Sequence, residues 1–279
     1  MLWEAIIAQS ASRLLIDLYY NLVNNNSMTK QKFAAFDIDG TLFRSGLYRE
    51  VAYELMKMGA LPQDILEETT AKNREWRHRT HGNAFEEFDM LLVNRVDGAL
   101  TQLRIEDYEE AAQMVLEKRA DNVYVYTRDL IKQLKHEGYF LIAISGSQIE
   151  LVEPFASKYG FDEWVGQKWE RGDEFFTGNS IKTHTNKDSI VKDIVKRNNL
   201  TFEGSYAVGD SNGDVGMLEI VDNPIAFNPT AELYQKAVEH GWTVAIERKN
   251  MMYTLEKIAD AYQLVRARSQ DIPSTDKVY

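Results

Sequence analysis

Two carboxylates two positions apart, Asp37 and Asp39, stand in the segment Phe36-Asp37-Ile38-Asp39-Gly40-Thr41 at the end of an apolar run. Residues at i and i+2 of an extended strand share a face, so both acids can point into the crevice where open α/β sheets bind ligands. Gly40 permits a sharp exit from the strand. Such a pair can act as nucleophile and general acid/base, or both members can serve a hard cation; acidic pairs are also common in turns. A second segment, Ile144-Ser145-Gly146-Ser147, offers a hydroxyl and adjacent backbone N–H groups that suit a phosphate. The same letters also make an ordinary strand-to-helix turn with Ser147 as N-cap. Lys187, at the start of a helical run, is a solvated charge unless its place between its neighbours gives it more. Val208-Gly209-Asp210-Ser211-Asn212-Gly213-Asp214 follows another apolar run, and Asp210 with Asp214 suits oxygen-only magnesium coordination and its supporting shell. An acidic, Gly-rich turn is the plainer alternative. So many carboxylates in one crevice would raise one another's pKa values without a cation and Lys187 to offset them.

The elements that must position these residues are legible as short apolar runs: Phe33 to Phe36, Phe140 to Ile144, Ser205 to Val208, Pro224 to Phe227 and Thr243 to Ile246 read as buried parallel strands. Helical patterns alternate with them. Thr127 to Glu137 ends at Gly138, Ser147 to Tyr159 at Gly160, and Ala231 to His240 at Gly241, the glycine stop signals of helices. The fold class is therefore α/β, a Rossmann-like doubly wound parallel sheet. The span 45–123 reads as helix throughout, at Tyr48 to Met58, Asp64 to Arg79, Ala84 to Arg95 and Ile105 to Arg119, and is expected to form a helical cap inserted into a core of residues 29–44 and 124–268. Gly172-Asp173, between strand-like flanks in Trp164 to Asn179, predicts a β-hairpin. Residues 269–279 read as a polar tail.

The chain has 279 residues, enough for a core and a smaller inserted domain. A net charge of -11 disfavours nucleic acid and anionic lipid. With no cysteine there is no thiol nucleophile, disulfide or Cys-ligated zinc site, so metal chemistry falls to carboxylates or imidazoles. The five histidines never form the paired helical spacing of zinc hydrolases. Residues 1–28 form an extension in which Trp3, Ile7, Leu14, Leu15, Leu18 and Leu22 recur at helical spacing, interrupted by Glu4, Arg13 and Asp17. An accessory helix is expected there, with no membrane span and no secretory signal. The functional unit could begin at Met28, and a cytoplasmic protein is expected.

Taken in order, Asp37-Ile38-Asp39-Gly40-Thr41, Ser145, Lys187 and Asp210 with Asp214 resemble the four motifs of the haloacid dehalogenase superfamily, from Lys32 onward. The insertion after the first motif resembles that superfamily's first type of cap, in the phosphoserine-phosphatase-like branch. The resemblance implies Asp37 as nucleophile, Asp39 as acid and then base, and a Mg2+ ion held by Asp37, Asp210 and the backbone carbonyl of Asp39. It implies phosphate binding by Ser145, Gly146 and Lys187, with Asp214 orienting the metal shell. The retained Asp39 distinguishes a phosphatase from dehalogenating members. The implied activity is hydrolysis of a small phosphorylated metabolite, phosphoserine-like in character, through an aspartyl-phosphate; transfer of that phosphoryl group to an acceptor other than water is the alternative. In the cap, Phe88 and Arg95 match the spacing of the branch's substrate contacts, and Arg95 is expected to clamp a carboxylate. The branch's amine-binding Glu falls on Gly46, with Glu50 one helical turn further on. Gly213 stands where the phosphoserine enzymes carry Asn.

Overall fold

The computed structural model describes residues 30–182 and 186–269. The expectations for residues 1–28 and for the tail beyond Ser269 lie outside the described residues.

Strand β1 (Lys32–Asp37), the fourth of nine strands in one sheet, can lie inside it because its apolar side chains face both ways. Ala34 and Phe36 join one hydrophobic cluster while Phe33 and Ala35 join the other, the double burial that parallel strands require. Its neighbours are β2 (Phe140–Gln148) and β5 (Thr201–Gly209), both parallel, with Phe36 opposite Ala143 and Val208. Beyond β5 lie β6 (Asn223–Phe227) and β7 (Thr243–Arg248), also parallel. Beyond β2 lies β3 (Glu163–Arg171), which pairs parallel with β2 and antiparallel with β4 (Phe176–Ile181). The hairpin expected around Gly172-Asp173 is present, and its first strand also extends the main sheet. Strands β8 (Met251–Ile258) and β9 (Ala261–Ser269) add an antiparallel ribbon that the sequence reading lacked; Ser269 ends β9 and is not yet tail.

Between β1 and β2 run α1 (Leu47–Met58), α2 (Gln63–Arg77), α3 (Ala84–Gly98), α4 (Ile105–Arg119) and α5 (Val125–His136). After β2 come α6 (Ile149–Lys158), α7 (Lys187–Arg197), the short α8 (Val215–Leu218) and α9 (Ala231–His240). Helix α9 ends at Gly241 in the left-handed region, φ 72°, a conformation glycine adopts without a Cβ penalty. Among the described residues no helix is long and apolar enough to cross a membrane.

Candidate active site

Parallel register brings the motif residues to one edge of the sheet. Asp37 ends β1 opposite Ile144, so Ser145 follows on the adjacent strand. Asp210 follows Gly209 on the other neighbour, β5. Two glycines make room for this convergence. A Cβ on Gly40, whose φ is +87°, would lie 2.1 Å from Asp210 Oδ2, and one on Gly209 would lie 2.4 Å from the Asp214 side chain.

Lys187, the first residue of α7, is buried and reaches across to the acids. Its Nζ donates to Asp37 Oδ1 at 2.6 Å, to Asp214 Oδ1 at 2.6 Å and to the Ile144 carbonyl at 3.3 Å. Burial alone would lower its pKa, but Asp214 and Asp37 reverse the sign and hold it above the ordinary lysine value. The other oxygen of Asp214 accepts from the backbone N–H groups of Asp210 and Ser211 and from the Ser211 hydroxyl. Asp214 is thus fully engaged, fastening the loop that carries Asp210.

Asp37 and Asp210 are less well satisfied. Burial first, then the neighbouring Asp214 and Asp39 charges against the opposing pull of Lys187, push Asp37 up to about 8. Burial, followed by Asp37 and Asp214, holds Asp210 well above the usual carboxylate range. Asp37 Oδ2 is buried without a hydrogen-bond partner. Oxygens of Asp37, Asp210 and Asp214 lie within 4.8 Å of one another. An orphaned carboxylate oxygen within an under-neutralised oxygen cluster fits a hard divalent cation of the magnesium type.

Asp39 belongs to a different network. Leu47 N donates to its Oδ1 at 2.5 Å, and the hydroxyls of Ser145 and Ser147 donate to its Oδ2, the latter at 2.8 Å. Ser147 Oγ in turn accepts from Tyr48 N at 2.9 Å. Helix α1 is preceded by Gly46, which has no side chain to cap the orphan N–H groups of the first turn; Asp39 and Ser147 take that role from the sheet. Ser147 is therefore not a helix N-cap. It lies in the extended end of β2, and α6 starts only at Ile149. Sequence reasoning missed both Ser147 and the Leu47 amide as partners of Asp39. Gly146 lies between the two serines in β2, partly exposed.

Phe88 and Arg95 do not join this cluster of acids. Phe88 is fully buried and stacks on Trp76 at 5.5 Å between centroids. Arg95 pairs with Asp64 and, at 3.0 Å, with Glu68, both largely exposed acids of α2. Seven positions apart, the two share the face of α3 that packs on α2; Phe88 is fully buried there, while Arg95 lies further along at the partly exposed end of that contact. Glu50 is committed as well, accepting from Ser45 Oγ at 2.6 Å and pairing with Arg119 at 3.1 Å.

The family model for haloacid dehalogenase-like hydrolases matches residues 34–219, the span that carries all four motifs. The chain belongs to that family of hydrolases, and within it the similarity runs to the phosphoserine-phosphatase-like branch. It is 25% identical over 221 residues to histidinol-phosphatase of Neisseria meningitidis serogroup C, covering 77% of this chain and 98% of the relative. It is 25% identical over 232 residues to phosphoserine phosphatase of Methanocaldococcus jannaschii, covering 82% of this chain and 98% of the relative. A solved structure described as a phospho-aspartyl intermediate analogue of phosphoserine phosphatase matches with a TM-score of 0.57 at 25% identity, over 79% of this chain and 95% of that one.

Proposed function

We propose that this enzyme is a magnesium-dependent phosphatase that hydrolyses a small phosphorylated metabolite through an aspartyl-phosphate on Asp37, with the cytoplasm as its compartment. The observation that carries this proposal is the orphaned, buried Oδ2 of Asp37 beside Asp210, with Lys187 bound to Oδ1.

Asp37, Asp210 and the backbone carbonyl of Asp39 would hold the metal, with Asp214 fixing the loop behind it. A bound magnesium ion would supply positive charge to offset the phosphoryl oxygens and keep Asp37 ionised. In the first half-reaction an oxygen of Asp37 attacks phosphorus, the bond from phosphorus to the leaving oxygen breaks, and Asp39 gives that oxygen a proton. In the second, Asp39 takes a proton from water, the water oxygen attacks phosphorus, and the bond from phosphorus to Asp37 breaks to release inorganic phosphate.

The serine contacts bear on the order of events. A hydroxyl has one proton to donate, and in the resting site Ser145 spends it on Asp39. Binding of a phosphoryl group by Ser145 would draw that proton away and leave Oδ2 of Asp39 with one donor, Ser147, in place of two. Lys187 would neutralise the phosphoryl oxygens while holding Asp37 in line. The helices of residues 45–123 would act as a cap, supported by the Leu47 and Tyr48 amide contacts to Asp39 and Ser147.

The test is hydrolysis of a generic aryl phosphate. Turnover with magnesium, lost in excess chelator and restored by adding the ion back, is expected; full activity in chelator would contradict it.

A further inference from the structure

Resting on the phosphatase reading above, we propose that Gln167 is a positioning residue for phosphoryl binding: from strand β3 it holds the Gly146 carbonyl, and through that peptide the orientation of the Ser145 hydroxyl. None of the four motifs includes this residue; the mismatch between β2 and β3 points to it.

The two strands pair in parallel as far as Ile144 opposite Val165, and pair again at Gln148 opposite Gln167. Ser145, Gly146 and Ser147 therefore stand against the single residue Gly166, and β2 bulges where it carries its phosphate-binding groups. The bulge lies close on β3. A Cβ on Gly166 would sit 2.9 Å from the Ser147 carbonyl oxygen and 2.9 Å from both N and Cα of Ile149. A bulge takes backbone groups out of the ladder, and buried ones need another partner. The side chain of Gln167 supplies it: Nε2 donates to the Gly146 carbonyl at 3.0 Å while Oε1 accepts from Trp169 Nε1 at 3.2 Å, the amide orientation that satisfies both ends.

Trp169 sets the direction of that amide. Residues 167 and 169 share a face of β3, and both are buried. The indole packs against Tyr108 of α4 at 5.1 Å, Phe176 of β4 at 5.3 Å and Tyr48 of α1 at 5.9 Å between centroids. An indole N–H only donates, so it selects the oxygen end of Gln167 and turns the NH2 end to Gly146. The far side of the same planar peptide, Ser147 N, donates to Ser145 Oγ at 2.8 Å. Both ends of the peptide are thus tied. Because the Ser145 hydroxyl accepts from Ser147 N, its own proton points elsewhere: to Asp39 in the resting site, and to a phosphoryl oxygen when substrate binds.

Inorganic phosphate is the probe, since it offers phosphoryl oxygens without a leaving group. Gln167→Met keeps the length and removes the donor. Its inhibition constant for phosphate against an aryl phosphate, and the phosphate-induced rise in Tm with magnesium present, should both report binding weaker by about two- to tenfold, the scale of one neutral hydrogen bond. The magnesium-induced rise in Tm without phosphate should match wild type, because Asp37 ends β1 and Asp210 follows β5. The kcat/KM values for aryl and alkyl phosphates should fall by one common factor, as the phosphoryl group is common to both. Trp169→Phe keeps the ring, removes the N–H and should weaken phosphate binding in the same direction. Unchanged phosphate binding in Gln167→Met, or in Trp169→Phe should Gln167→Met fail to fold, would overturn the inference even if Tm fell, since Gln167 would then support the fold alone. An equal loss of magnesium binding, or a loss confined to alkyl esters, would overturn it as well. A wild type that binds phosphate and turns over no ester would contradict the phosphatase reading alone; one that does neither would bring down both.

Discussion

Lys187 and Asp37, 150 positions apart in sequence, meet in an ion pair of 2.6 Å with both side chains buried. The same ammonium sits 2.6 Å from Asp214, so one cation holds two buried acids. Removing one partner of a buried pair leaves an uncompensated charge, which costs about 3–5 kcal/mol. Lys187→Met is therefore expected to lower unfolding stability by up to about that amount near neutral pH, measured by urea denaturation. An unchanged midpoint would mean that Lys187 does not neutralise the cluster.

Asp37 makes metal binding pH-dependent in a definite direction. Its folded value of about 8 lies above the ordinary 3.8, so its stabilising contribution is complete below the ordinary value and is lost as pH rises through about 8. Asp210 is shifted the same way. The cation-free protein should lose stability across that window, while magnesium, which needs the ionised carboxylates, should restore it. The magnesium-induced rise in Tm is expected to grow with pH from mildly acidic to mildly alkaline solution. Thermal unfolding across a pH series checks this, and a shift that shrank with pH would contradict it.

Asp37→Asn separates stability from catalysis. The amide keeps the shape but removes both the buried charge and the attacking oxygen, so turnover should fall by several orders of magnitude. The cation-free variant should nonetheless melt higher than the wild type at alkaline pH, where the native carboxylate is ionised. A variant that melted lower there would show that Asp37 is not the unsatisfied group.

Arg95→Ala is expected to act equally on all substrates. Its partners are exposed acids of α2, and exposed pairs of this kind contribute about 0.2–1 kcal/mol. Comparing kcat/KM for phosphoserine and for an aryl phosphate should give the same small ratio to wild type in both. A selective loss on phosphoserine would return Arg95 to the carboxylate-clamp role that the sequence resemblance implied.

Where a strand carries a buried apolar run, as in β1, β2, β5, β6 and β7, the sequence announces that run and the chemistry at its end. Asp37, Ser145 and Asp210 were legible for that reason. Strand β9 was not: Tyr262-Gln263-Leu264-Val265-Arg266 is mixed in character because one edge is exposed and the pairing is antiparallel. The partners of Asp39 were hidden differently. A backbone donor such as Leu47 N has no letter of its own, and Ser147 reads as a helix cap when the strand is taken to end at Ile144 instead of running on to Gln148. In α3 the spacing of Phe88 and Arg95 was visible, but spacing leaves open which way the helix face turns, and packing against Trp76 decided that.

The most direct measurement is to trap the covalent intermediate. A reaction quenched during turnover, reduced with borohydride and mapped by peptide mass spectrometry should show the reductive change of an acyl phosphate at Asp37 and nowhere else. Product release with no modification at Asp37, or modification at another carboxylate, would contradict Asp37 as the nucleophile.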